Sequence, residues 1–257
     1  MNATVFCAAL LKTRSRQTNE LLQFNQQYGA GQAGLPEIMA KKQFDLIVFD
    51  WDGTLMDSTA AIVNAIQASA ADLKLPIPDR KTASFVIGLG LREAMETVMP
   101  DLDPSYYPRI VDRYRHHYLN QDSHLSLFDG VREMLDDLSQ RGYTLAVATG
   151  KSRMGLNRVL DASKLKHMFQ ATRCADETHS KPHPAMLQEL TSELGHDMSR
   201  TVMIGDTTHD LQMALNAGAS GIAVQYGAHP EDFLLALKPL YSADSVSQLH
   251  KWLIENA

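Results

Sequence analysis

The sequence predicts an α/β protein, a Rossmann-like parallel sheet core carrying an inserted helical cap. Three observations lead there. Short apolar runs at 44–49, 143–149 and 201–205 have no polar alternation, as strands covered on both faces require. Amphipathic helical stretches separate them. Between the first two runs lies a long segment, 59–125, in which strand-type runs are scarce and helical candidates follow one another. The expected division is an N-terminal extension over 1–40, a core from 41–58 and 126–257, and a cap over 59–125.

Composition sets outer limits. The chain has 257 residues, 44% of them hydrophobic, enough for a sizeable core, and a formal net charge of -6 that gives no reason to expect nucleic acid or an anionic membrane as partner. Cys7 and Cys174 are the only cysteines, which suits a reducing cytoplasm. No apolar run approaches a membrane span, and the basic residues Lys12, Arg14 and Arg16 follow the apolar N-terminal segment where a secretory signal would place them before it. Residues 23–34 are rich in Gln and Gly, and Met39 directly precedes the first strand, so the working protein is expected to begin near Met39. A short docking helix over 13–23 is the competing reading.

The first strand ends in Asp50-Trp51-Asp52-Gly53-Thr54, two carboxylates one residue apart followed by a turn that lets the backbone close over what they hold. Open α/β sheets bind ligands at such carboxyl ends. Paired acids in a partly dry site repel, so a cation or a retained proton must relieve them. Ser58 is placed to cap a helix running to about residue 73. Helices over 81–87, 91–99 and 105–119 follow, punctuated by prolines, and the chain returns to the sheet near 125–130. Gly88-Leu89-Gly90 lacks the third glycine of a dinucleotide loop and reads as a turn.

A helix at 131–140 leads into the second strand, which ends at Thr149-Gly150. Gly150-Lys151-Ser152 imitates the end of a nucleotide P-loop, but Leu145 stands where that motif needs its first glycine. The alternative is that the Thr149 hydroxyl and the amides leading into a helix at 152–160 contact a phosphate. Lys181 lies in Lys181-Pro182-His183-Pro184, prolines that stiffen the backbone aiming it before a helix at 185–194. His179 and His183 have the spacing of a helical zinc pair, but Pro182 forbids that helix. Gly205-Asp206 ends a third strand, and Asp210 falls in the first turn of the next helix. A strand at 221–225 and a helix at 245–256 complete the pattern.

Asp50, Asp52, Asp206 and Asp210 would bring up to four negative charges to one sheet edge against Lys181. A hard divalent ion with oxygen ligands fits, and Mg²⁺ is expected where phosphate adds a ligand. With Asp52 counted as protonated, three carboxylates balance Mg²⁺ plus Lys181.

Asp50-x-Asp52-Gly53-Thr54, Thr149, Lys181 and Gly205-Asp206-x-x-x-Asp210 resemble, in order, the four motifs of the haloacid dehalogenase-like hydrolases, and most of all their phosphoglycolate phosphatase-type branch. The resemblance covers residues 44–250. It implies a Mg²⁺-dependent phosphatase acting on a small soluble phosphomonoester. Asp50 would be the nucleophile forming an aspartyl-phosphate and Asp52 the acid and base. Thr149, Gly150 and Lys181 would hold the phosphoryl group; Asp50, the Asp52 backbone carbonyl and Asp206 would ligate the metal, with Asp210 in support. Asp129 stands where the family often has proline. Gly205 favours a phosphatase over the related mutases, which usually carry an acid there, and Asp52 argues against a dehalogenase. A phosphomutase or pyrophosphatase on the same site is the second reading, and a non-catalytic phospho-accepting module the third. Arg92, Arg113, Arg115, Tyr106 and Tyr107 are cap candidates for reaching the site.

Overall fold

The computed structural model describes residues 42–121 and 125–257. The expected extension over 1–40, with its alternative helix at 13–23, lies outside them. Six strands form one parallel sheet in the order β3-β2-β1-β4-β5-β6: β1 (Leu46–Phe49), β2 (Thr144–Thr149), β3 (Ala171–Cys174), β4 (Thr201–Gly205), β5 (Ser220–Val224) and β6 (Tyr241–Ala243). The helices in chain order are α1 (Thr59–Asp72), α2 (Arg80–Phe85), α3 (Leu91–Val98), α4 (Tyr107–Gln121), α5 (Val131–Gln140), α6 (Arg153–Ser163), α7 (Ala185–Leu194), α8 (Thr208–Ala217), α9 (Glu231–Ala236) and α10 (Val246–Asn256).

β1 sits in the middle of the sheet, and all four of its side chains are fully buried. Its lack of alternation has a direct cause: Ile47 and Phe49 join the cluster that includes Met134 of α5, Leu156 of α6 and Leu249 of α10, while Leu46 and Val48 join Leu187 of α7 and Met213 of α8 on the other face. At about 1.5–3 kcal/mol for each fully buried aliphatic side chain, a polar residue at any of these positions would cost the sheet heavily. Register then sets the site. Phe49 pairs with Val147 and with Ile204, so the residues just beyond β1, β2 and β4 emerge along one edge.

α1 to α4 are inserted after β1 and bury their own cluster, with Ile66, Val86, Met95 and Ile110 at its heart. The two chain crossings run side by side: Met56 bridges Leu127 in antiparallel fashion, and the Asp57 amide donates to the Ser126 carbonyl at 2.9 Å. β3, β6 and α9 go beyond the elements expected from sequence. Ala-Thr-Arg-Cys of β3 and Tyr-Ser-Ala of β6 are short, half-buried edge strands without an apolar run. None of the helices among the described residues is long and apolar enough to cross a membrane.

Candidate active site

Asp50 lies immediately beyond β1, its amide bonded to the Ile204 carbonyl at 2.9 Å, and its side chain is buried. Lys181 Nζ is 2.8 Å from Asp50 Oδ1 and 2.6 Å from Asp210 Oδ1. Asp50 Oδ2 has no hydrogen-bond partner among the described residues. Burial, reinforced by Asp210 and Asp206 and opposed by Lys181, raises the Asp50 pKa well above the usual carboxylate value. Burial works against the Lys181 ammonium too, but Asp210 and Asp50 outweigh it and hold the lysine charged.

Asp206 is fixed from two sides. Thr54 Oγ1 donates to its Oδ1 and the Ala228 amide to its Oδ2, each at 2.8 Å. Glycines permit this crowding: a Cβ on Gly53 or Gly227 would stand 2.2 Å from Asp206 atoms, and one on Gly205 would stand 2.2 Å from Asp210 Cγ. Burial and the Asp210 charge push the Asp206 pKa up to about 7. Asp210 closes a capping box at the start of α8, accepting from the Thr207 amide at 3.1 Å and the Thr207 hydroxyl at 2.7 Å, so the helix start itself orients the carboxylate that holds Lys181.

One carboxylate oxygen from each of Asp50, Asp206 and Asp210 lies within 4.8 Å of the others, all three residues buried. Such a set, with an unpartnered buried oxygen on Asp50, fits a hard divalent cation. Asp52 faces differently. Its Oδ1 accepts from Ser58 Oγ at 2.6 Å and lies 3.0 Å from Lys151 Nζ. Ser58 therefore stands at the N-cap of α1 without capping it; its hydroxyl serves Asp52 instead.

Lys151 is the site residue that sequence reasoning missed. Leu145 is buried within β2, so no P-loop forms, but the Lys151 side chain is only 9% exposed and donates to the Tyr118 hydroxyl of α4 at 3.0 Å. Nothing in local spacing marks it, because Ser58, Tyr118 and Lys151 meet around Asp52 only through the tertiary fold. The charge count changes as well. Four aspartates, two lysines and one divalent cation sum to zero formal charge with Asp52 ionised and to +1 with Asp52 carrying the proton a general acid needs, so Lys151 relieves the crowding of acids in either state.

Thr149 is buried beyond Asp50 at the end of β2, and Gly150 follows it. The turn at Gly88-Leu89-Gly90 lies directly over this loop. A Cβ on Gly150 would meet the Leu89 carbonyl oxygen at 2.3 Å, and the Gly90 amide donates to Ser180 Oγ, beside Lys181, at 2.8 Å. His209 Nε2 and His229 Nε2 both reach the Phe85 carbonyl, at 3.0 and 3.1 Å, with Phe85 stacked on His229. The Gly88–Gly90 turn and Gly150 also line a partly open cavity of about 590 Å³, together with Asp50, Asp52, Thr149 and Lys151.

Of the cap candidates, Arg92 and Arg115 line this cavity, with Arg92 paired to Glu96, while Arg113 is paired to Asp72 away from the lining. Tyr106 and Tyr107 are absent from the lining. His179 and His183 pack ring against ring, and His183 Nδ1 accepts from the Ala185 amide.

A parallel α/β sheet covered on both faces, with buried acids and a lysine gathered at its carboxyl edge, places a candidate ligand site where open α/β sheets bind ligands. Residues 47–224 match the model of the haloacid dehalogenase-like hydrolase family. The chain is 39% identical to the probable phosphatase IndB of Dickeya dadantii over 79% of this chain and 91% of that protein. It is 31% identical to phosphoglycolate phosphatase of Aliivibrio fischeri over 81% and 94% of the respective chains. The crystal structure of a predicted phosphoglycolate phosphatase from Haemophilus somnus superposes with a TM-score of 0.73 at 26% identity, covering 82% of this chain and 99% of that one. The chain belongs to the haloacid dehalogenase-like hydrolases, in their phosphoglycolate phosphatase-type branch, and is a hydrolase of the phosphatase class.

Proposed function

We propose that this protein is a Mg²⁺-dependent phosphomonoesterase that hydrolyses a small soluble phosphate ester through an aspartyl-phosphate on Asp50. The observation that carries the reading is Asp50 itself, a buried carboxylate with an unpartnered oxygen, set at the tip of the central strand and lining the cavity beside Thr149. Mg²⁺, held by Asp50, Asp206 and the Asp52 backbone carbonyl with Asp210 in support, would offset the charge of the phosphoryl oxygens.

Asp50 attacks phosphorus in line, a carboxylate oxygen–phosphorus bond forms, and the ester P–O bond breaks. Asp52 gives the leaving alkoxide a proton. It then takes one from the water that attacks the phosphoenzyme, releasing phosphate and restoring Asp50. Lys181 and the Thr149 hydroxyl offset and orient the phosphoryl oxygens, with Lys181 held in place by Asp210. Ser58 and Lys151 position the Asp52 carboxylate. The inserted helices α1 to α4 act as a cap that keeps bulk water from the phosphoenzyme. A reducing cytoplasmic setting agrees with Cys174 being buried as a free thiol.

The test is phosphate release with added Mg²⁺ from a panel of phosphomonoesters, sugar phosphates and pyrophosphate, comparing the native enzyme with Asp50→Asn. Release abolished by the substitution, with the fold retained, is the expected result; equal release from the variant refutes the mechanism. Phosphate moved within a sugar phosphate without release would identify a mutase, and pyrophosphate as the preferred substrate a pyrophosphatase.

A further inference from the structure

We propose that the preferred substrate is a phosphomonoester whose alcohol is a bulky, mainly apolar group, and that short charged esters such as phosphoglycolate are poor substrates. This rests on the phosphatase reading above and narrows it.

The cavity is the first ground. At about 590 Å³ it falls in the range of sites for drug-sized ligands, far larger than a phosphoryl group with a two-carbon tail would fill. A small polar ester would leave much of it to water. Its walls are the second ground. Beyond the catalytic groups it is bounded by Ile62 and Ile66 of α1, Val86, Val111 and Leu119 of the insertion, and Met154 of α6. Tyr114 adds a neutral aromatic ring stacked on Tyr118.

Charge placement is the third. Buried Lys181 and nearly buried Lys151 are already engaged by Asp50, Asp210 and Asp52. The other cationic lining groups are Arg92 and Arg115, both exposed, with Arg92 paired to Glu96, and half-buried Arg158. Finally, Met154 and Leu119 are 69% and 49% exposed, large apolar side chains that line the same cavity from the core and from the insertion. An apolar alcohol extending from the phosphoryl position would cover both, removing from water a surface that the protein alone leaves wet.

The test is the dependence of kcat/KM on chain length for ethyl to hexyl phosphate with Mg²⁺, alongside phosphoglycolate and acetyl phosphate. Leaving-group chemistry is nearly constant along the alkyl series, so chain length reports burial. The expected rise is about fourfold per methylene, the equivalent of ~0.8 kcal/mol for each buried CH₂, or roughly 250-fold from ethyl to hexyl. Hexyl phosphate should exceed phosphoglycolate, and Met154→Glu or Leu119→Glu should flatten the slope. A flat or falling series with measurable hydrolysis of the short esters, or phosphoglycolate as the best substrate, overturns the proposal while leaving the phosphatase reading intact. No phosphate release from any ester or from acetyl phosphate overturns the phosphatase reading and this proposal with it.

Discussion

Replacing Gly150 by alanine adds one carbon where the inserted turn meets the loop beyond β2. That Cβ would stand 2.3 Å from the Leu89 carbonyl oxygen and 2.6 Å from that of Gly88, whereas ordinary contact begins near 3.4 Å. Both opposing atoms are backbone, so no flexible side-chain tip can swing away. Gly150 does not have a positive φ, so alanine brings no intrinsic backbone strain, and the whole penalty falls on closure. Either the Gly88–Gly90 turn lifts by roughly 1 Å or the Thr149 loop sinks by that amount. A misplacement of that size costs on the order of 100-fold in rate, about 2.7 kcal/mol. Steady-state kcat/KM for phosphate release is the assay, with the thermal midpoint as control for folding. Gly155→Ala is the matched comparison, since its Cβ would approach Ser152 Oγ only to 3.4 Å, and it should keep native kinetics. Native kcat/KM in Gly150→Ala would refute the idea that this turn closes on the Thr149–Gly150 loop during turnover.

Asp50→Asn should abolish turnover by at least about 10⁴-fold while preserving or raising the thermal midpoint, because it removes one of the carboxylates crowded with Asp206 and Asp210. Chelation should stop phosphate release, and Mg²⁺ should raise the thermal midpoint of native protein more than that of Asp206→Asn, read by calorimetry. Lys151→Met should lower kcat about 10- to 100-fold with less change in KM, since among the described residues the Asp52 side chain then keeps Ser58 alone as a hydrogen-bond partner; stopped-time phosphate assays would show it. For His229, burial and the neighbouring His209 hold the folded pKa near 4 against an ordinary 6.5. The unfolded chain thus binds the proton first, and stability should fall as pH drops from about 6.5 to about 4. His229→Gln should lose that part of the pH dependence in urea unfolding curves.

Much of the site was legible because its chemistry is local in sequence. Asp50, Asp52 and Thr54 follow one strand, Gly205 and Asp206 another, and Asp210 falls in the first turn of the next helix, where the structure shows it closing a capping box with Thr207. The sheet was legible where strands are central and fully buried, since burial on both faces forces continuous apolar runs at β1 and β4. It was illegible at β3 and β6, whose edge positions tolerate Thr, Arg and Ser. Ser58 shows where local reading misleads. Its position suits a helix cap, yet a bond to the Asp52 carboxylate is the stronger use of the hydroxyl, since hydrogen bonds to charged groups exceed neutral ones.

The amino-acid order alone determined that an apolar strand would deliver Asp50 to a sheet edge, that further acids and Lys181 would join it, and that a helical segment would interrupt the core. Those properties follow from periodicity and from the cost of burying charge without a partner. Only the tertiary structure decided that Lys151 balances Asp52, that Gly150 admits the Gly88–Gly90 turn, and that the cavity beside Asp50 and Thr149 is large, with Ile, Val, Leu and Met prominent in its walls. Each of these depends on side chains tens of residues apart meeting at ångström distances, and spacing along a chain carries no record of such meetings.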